Sequence, residues 1–133
     1  MRRTVSIVLP LPVANVGLNG RLNHYVKNAA FPGYKSRAFW LMKEALKGGT
    51  PKPVGLVDVQ YTPFFAQARR RDEDNLFGLF KAAQDGIAQA MKVDDFFFHL
   101  LPIQRNKTGD CSYFKDPQKK GYVEVNLSWD ENG

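Results

Sequence analysis

Residues 69–95, RRRDEDNLFGLFKAAQDGIAQAMKVDD, restrict the fold of this chain more than any other stretch. The segment opens on three arginines, sets Asp72 and Asp74 two positions apart, continues into a helical pattern and closes on Asp94 and Asp95. At 100° per residue, Leu76, Phe80, Ala83, Ile87 and Met91 fall within roughly 80° of arc, the apolar stripe of a core-facing helix. Asp74, Gly78, Lys81 and Asp85 fall within roughly 60° on the opposite side. Asp74 also suits an N-cap, because its carboxylate can accept from the free amides of the first turn. Gly78 costs about 1 kcal/mol relative to alanine inside a helix. Its place on the charged face points to a partner approaching the backbone there, or else to an ordinary solvated face.

The acids at the two ends of the helix carry the chemistry. In an extended segment, residues two apart point the same way, so Asp72 and Asp74 can converge where strand turns into helix. Asp94 and Asp95 follow the helix C-terminus, where the dipole disfavours negative charge. Gathering these carboxylates on one surface is costly unless a cation lies between them. Hard oxygen donors without thiolate favour Mg²⁺, with Mn²⁺ able to substitute, over Zn²⁺. Arg69, Arg70 and Arg71 beside them suit phosphate, whose oxygens match the guanidinium fork.

The rest of the chain fills in a domain around this segment. Residues 1–133 are long enough for one domain with a real core. The net charge of +6 fits a polyanionic partner. No stretch is apolar enough to cross a membrane, no signal peptide is evident, and the single Cys111 precludes an internal disulfide; a cytoplasmic location is expected. Residues 4–11 predict a strand stopped by Pro10 and Pro12. Residues 13–33 read as a loop carrying Arg21, His24 and Lys27, with Arg21 and Lys27 placed to meet phosphates. His24 has no second histidine near it to make a metal site.

Residues 34–47 predict an amphipathic helix, Ala38, Leu41, Met42 and Ala45 inward and Lys35, Arg37, Lys43 and Lys47 outward. Residues 54–65 and 96–101 predict strands, the second rich in phenylalanines that suit a core or a dimer interface. Residues 106–120 read as a polar segment, mobile without a nucleic acid. Residues 121–129 alternate Val123, Val125, Leu127 and Trp129 against polar neighbours, a half-buried strand. The expected fold is a small α/β (α+β) domain: a mixed sheet of about four strands and two main helices.

The order Asp72-x-Asp74-Asn75, then Lys81, Asp85-Gly86 and Asp94-Asp95, resembles the RusA-like Holliday junction resolvases, which phages and prophages often encode. The opening, Ile7-Val8-Leu9-Pro10-Leu11-Pro12 followed by Asn19 and Arg21, is similar to the first strand and loop of that family. The likeness runs from about residue 5 to residue 125 and is densest over 69–95. It implies a homodimeric, Mg²⁺-dependent endodeoxyribonuclease that resolves four-way junction DNA by paired phosphodiester cleavage in recombination and repair. It implies Asp72, Asp74 and Asp95, with Asp94 beside the last, as metal-binding catalytic acids and Lys81 as the catalytic lysine. Asn75 and Asp85 would support them, Asp85 by orienting Lys81 from one turn away. Here roughly three extra residues separate the asparagine from the lysine, and one added turn returns a side chain to nearly the same face. Two other classes compete: a branched-DNA-binding module without catalysis, and a metal-dependent nucleotide hydrolase.

Overall fold

The computed structural model describes residues 1–11, 24–66, 73–109 and 112–132, with side chains of the first helix described from Gly33 onward. Its elements in chain order are β1 (Arg2–Pro10), α1 (His24–Ala45), β2 (Pro53–Phe65), α2 (Glu73–Met91), a single 3₁₀ turn (Asp95–Phe97), β3 (Phe98–Leu100), β4 (Phe114–Lys115) and β5 (Tyr122–Glu131). The fold is α+β, with one mixed five-stranded sheet and two helices. The strand order is β1-β5-β2-β3, with β4 also paired to β2. β5 runs antiparallel to both β1 and β2, whereas β3 and β4 run parallel to β2.

Period-two alternation sorts the side chains of the long strands. Val5, Ile7 and Leu9 of β1, Val57, Val59 and Tyr61 of β2, and Val123, Val125, Leu127 and Trp129 of β5 are all buried. Residues between them, among them Ser6, Asn126, Gln60 and Asp58, point away from the helices. Both helices cover the same side; among the described residues the other side is largely polar near β1 and the middle of β5, with Phe64, Phe114 and Tyr122 stacked at one end. There Arg2 donates to Asp58 at 2.7 Å, and Asp58 also pairs with His99 Nδ1 at 2.9 Å. These bonds, His99's first, hold the Asp58 carboxyl below its ordinary value.

The helix stripe of α2 packs as its angles require: Leu76, Phe80, Ala83, Ile87 and Met91 are buried, while Asp74, Gly78 and Lys81 are exposed. Tyr61 of β2 stacks on Phe80 with ring centroids 4.8 Å apart. Tyr34, Ala38 and Met42 of α1, and Leu46 just after it, form a buried line, and α1 packs against both α2 and β1. The two helices approach so closely at Gly86 that a Cβ there would sit 2.2 Å from the carbonyl oxygen of Lys35.

Four local readings are corrected by the structure. The first helix begins at His24, ten positions before the residue 34 expected from the sequence, and runs through Pro32 and Gly33. A proline inside a helix removes a helical hydrogen bond, a loss that a 22-residue helix packed on a second helix can absorb. Asp74 lies within the first turn of α2, after Glu73, and so is not the residue that precedes the helix. Residues 96–101 are not one strand, because a 3₁₀ turn occupies Asp95–Phe97 before the short β3. Residues 106–120 include a paired strand, which makes the sheet five-stranded where about four strands were expected.

The turn after β4 is built by Asp116. Its carboxylate accepts from the backbone N–H groups of Gln118 at 2.9 Å, Lys120 at 3.1 Å and Gly121 at 2.8 Å. These bonds, Gly121's foremost, hold the carboxyl below its ordinary value of 3.8. A depressed folded pKa adds stability above the unfolded value, lost as pH falls through the folded one. Asp116→Ala is therefore expected to melt below wild type at neutral pH, with the gap closing as pH falls below 3.8. Thermal melts followed by circular dichroism across that range check this; a gap independent of pH would contradict it.

Candidate functional site

The site grows from the way α2 ends. Lys92 takes a left-handed conformation, φ 58°, and reverses the chain. Its N–H donates to the carbonyl of Gln89 and that of Val93 to the carbonyl of Ala88, the paired bonds of a Schellman stop. The chain then meets Asp94, whose carboxylate accepts from the N–H of Phe96 at 2.9 Å and caps the 3₁₀ turn. Asp94 thus has a local structural task that helix-dipole reasoning about α2 did not supply. The cap sets the next residue, Asp95, against the exposed side of α2.

There Lys81 Nζ lies 2.6 Å from Asp95 Oδ2 and 3.1 Å from Asp85 Oδ1. The Asp85 contact is the i, i+4 pair of one helical turn. The Asp95 contact spans 14 residues and ties the 3₁₀ turn to the middle of the helix. The hydrogen bond from Lys81 pulls the Asp95 carboxyl below its ordinary range. The Lys81 ammonium is raised correspondingly, first by Asp95 and then by Asp85. Both groups stay charged across the neutral range. All three side chains are partly open to solvent, so the pairs add only about 0.2–1 kcal/mol each to stability. A weak, exposed arrangement of this kind is accessible to a ligand.

The structure thus brings together Lys81, Asp85 and Asp95. Asp74 and Asn75 lie exposed on the first turn of the same helix. Asp72, Arg69, Arg70, Arg71 and Arg21, and the side chains of Lys27 and His24, lie outside the described residues. Among the described residues no three His, Cys, Asp or Glu side chains are grouped closely enough to share an ion. The donors on offer are hard carboxylate oxygens, the type Mg²⁺ prefers. Asp95, partly exposed and paired chiefly with a lysine that can move aside, with weaker hydrogen bonds to Asp94 and Gln84, fits such a role better than the capping Asp94.

Two features escaped sequence reasoning. The Arg2–Asp58–His99 cluster joins three strands on the uncovered face. Its only signal was the outward parity of Asp58 within β2. The phenylalanines after Asp95 also divide in a way that composition could not give: Phe98 is buried in the core, whereas Phe96 is 80% exposed and Phe97 46%. No helix of the described residues is long and apolar enough to cross a membrane. No protein-family model matches the chain, and no curated protein matches it either.

Proposed function

We propose that the chain is a metal-dependent endonuclease. More narrowly, it acts as a resolvase that cuts four-way junction DNA, working as a homodimer in the cytoplasm of a bacterial or phage-infected cell. The observation that carries this reading is the seating of Lys81 between Asp85 and Asp95. The acid and the lysine expected to work on one phosphate lie within 2.6 Å although 14 residues separate them. The basic balance of the chain supports a polyanionic substrate.

Asp95 with Asp74 and Asp72 would hold Mg²⁺, which when bound supplies an activated water and charge neutralisation at phosphorus. Lys81, raised and protonated, places its ammonium where negative charge develops on the phosphoryl oxygens or the departing 3′ oxygen. Asp85 keeps that ammonium in place from one turn away. Arg69, Arg70, Arg71, Arg21 and Lys27 would grip the flanking phosphates and fix the register of the DNA. A junction has approximate two-fold symmetry, so a C₂ dimer would present two equal sites to opposing strands.

Incubating the protein with a labelled synthetic junction, with and without Mg²⁺, tests the reading. Symmetrical nicks that need the metal are expected, together with binding that weakens steeply with salt at a log–log slope of about −0.9 per phosphate contacted. Binding without nicks under any divalent metal would leave a non-catalytic branched-DNA module. A shallow salt slope with hydrolysis of free nucleotides would leave a nucleotide hydrolase.

A further inference from the structure

On the uncovered face of the sheet, Phe64 of β2 stands between Phe114 of β4 and Tyr122 of β5. The ring centroids are 5.3 and 4.6 Å away and the interplanar angles 29° and 15°. All three rings are half-buried, with no helix of the described residues over them. Phe114, at the end of this row, is also one wall of a groove of about 770 Å³. Gln60, Gln104, Arg105, Asn106 and Lys107 supply most of the remaining wall.

The groove is held in shape by the chain that continues beyond β3 alongside β2. The N–H of Leu101 donates to the carbonyl of Val59 at 2.9 Å, and that of Gln104 to the carbonyl of Tyr61 at 3.1 Å. Thr62 Oγ1 donates to Gln104 Oε1 at 3.1 Å, which leaves the Gln104 amide nitrogen to donate elsewhere. Arg105 lies with its guanidinium 5.9 Å from the centroid of the Tyr113 ring. Among the described residues no carboxylate lines the groove, and neither Arg105 nor Lys107 forms an ion pair.

We propose that this groove is a binding site for unpaired nucleic acid. One base extends the Tyr122–Phe64–Phe114 stack on the side of Phe114 that Phe64 does not cover. Gln60, Gln104 and Asn106 offer amides to base edges, and Arg105 and Lys107 meet the backbone phosphates. A duplex keeps its bases stacked on one another, so only a strand that has left its partner can use the ring. An acidic peptide would satisfy the two cations but has no use for a stacking wall beside three amides. The site is independent of the acids that surround Lys81.

The test is anisotropy of a fluorescein-labelled twelve-nucleotide oligothymidylate titrated with the intact protein, with a duplex of equal length and polyglutamate as competitors. Wild type is expected to bind the single strand in preference to both. Phe114→Leu, which keeps the apolar bulk and loses the ring, is expected to weaken binding about tenfold. Arg105→Ala with Lys107→Ala is expected to reduce the log–log salt slope by about 1.4. Lys81→Met is expected to lose junction cleavage yet bind the oligonucleotide as wild type does, so this site and the nuclease reading fail separately. Melting curves show whether each variant is folded. Should Phe114→Leu not fold, photocrosslinking of a 5-iodouracil oligonucleotide to wild type decides instead, with attachment expected at Phe114. Binding by folded Phe114→Leu within twofold of wild type, a crosslink elsewhere, or polyglutamate competing as well as the unlabelled strand would overturn the proposal.

Discussion

Asp95→Asn is expected to cut Mg²⁺-dependent cleavage of a synthetic four-way junction by about 10²- to 10³-fold while leaving junction affinity equal or higher. The substitution is nearly isosteric, so the 3₁₀ turn and its Asp94 cap should survive. What disappears is the carboxylate charge that pairs with Lys81 at 2.6 Å and would ligate a metal. Removing a negative group beside a phosphate also relieves repulsion, which is why binding should not suffer. Asp72→Asn is expected to behave alike. Lys81→Met should lose activity to a similar degree, and the double variant with Asp95→Asn should be little worse than either single one, because groups acting as a unit are not additive. Single-turnover cleavage separated from gel-shift affinity makes the measurement. Full Mg²⁺-dependent activity in Asp95→Asn would remove the mechanism.

Gly86→Ala is expected to destabilise the fold by about 3 kcal/mol or more, lowering the melting temperature by about 10 °C. The added methyl would meet the Lys35 carbonyl oxygen at 2.2 Å, with Lys35 C and Phe39 N each at 3.1 Å. These are backbone atoms of a packed helix, so no side chain can swing aside, and α1 must move off α2. Because α2 carries Lys81 and Asp85, activity should fall with stability. Gly78→Ala is the contrast: beyond its own turn of helix, nothing in the described chain lies within 4 Å of a Cβ placed there, so replacing an exposed helical glycine should gain about 1 kcal/mol. A Gly78→Ala variant that melts higher yet binds junction DNA more weakly would mark Gly78 as the place where DNA approaches the helix. Melting curves for the two alanine variants that shift in the same direction would refute the close helix contact.

The legibility of this chain followed the periodicity of its elements. Leu76, Phe80, Ala83, Ile87 and Met91 could be placed on one helix face, and Val123, Val125, Leu127 and Trp129 on one strand face, because burial of a fixed-period surface admits one solution. The i, i+4 pairing of Lys81 with Asp85 follows from the same helical period. Short elements were opaque. β4 has two residues and β3 three, too few for any period to show, and both exist because β2 offers them an edge. The polar stretch around Asp116 looked like a loop because its order comes from one carboxylate accepting three backbone N–H groups, a bonding pattern with no compositional trace.

The sequence by itself determined which side chains face the core, that acids and a lysine share the outer side of α2, and that the whole is basic. Those properties depend only on local geometry and the count of charges. Tertiary structure decided that Asp95 rather than Asp94 meets Lys81, that Gly86 is a point of helix contact, and that Phe64, Phe114 and Tyr122 stack in a row. Each of these depends on where a chain reversal or a strand register places residues far apart in sequence. Non-local contacts of that kind are fixed by packing the complete domain, and no local period encodes them.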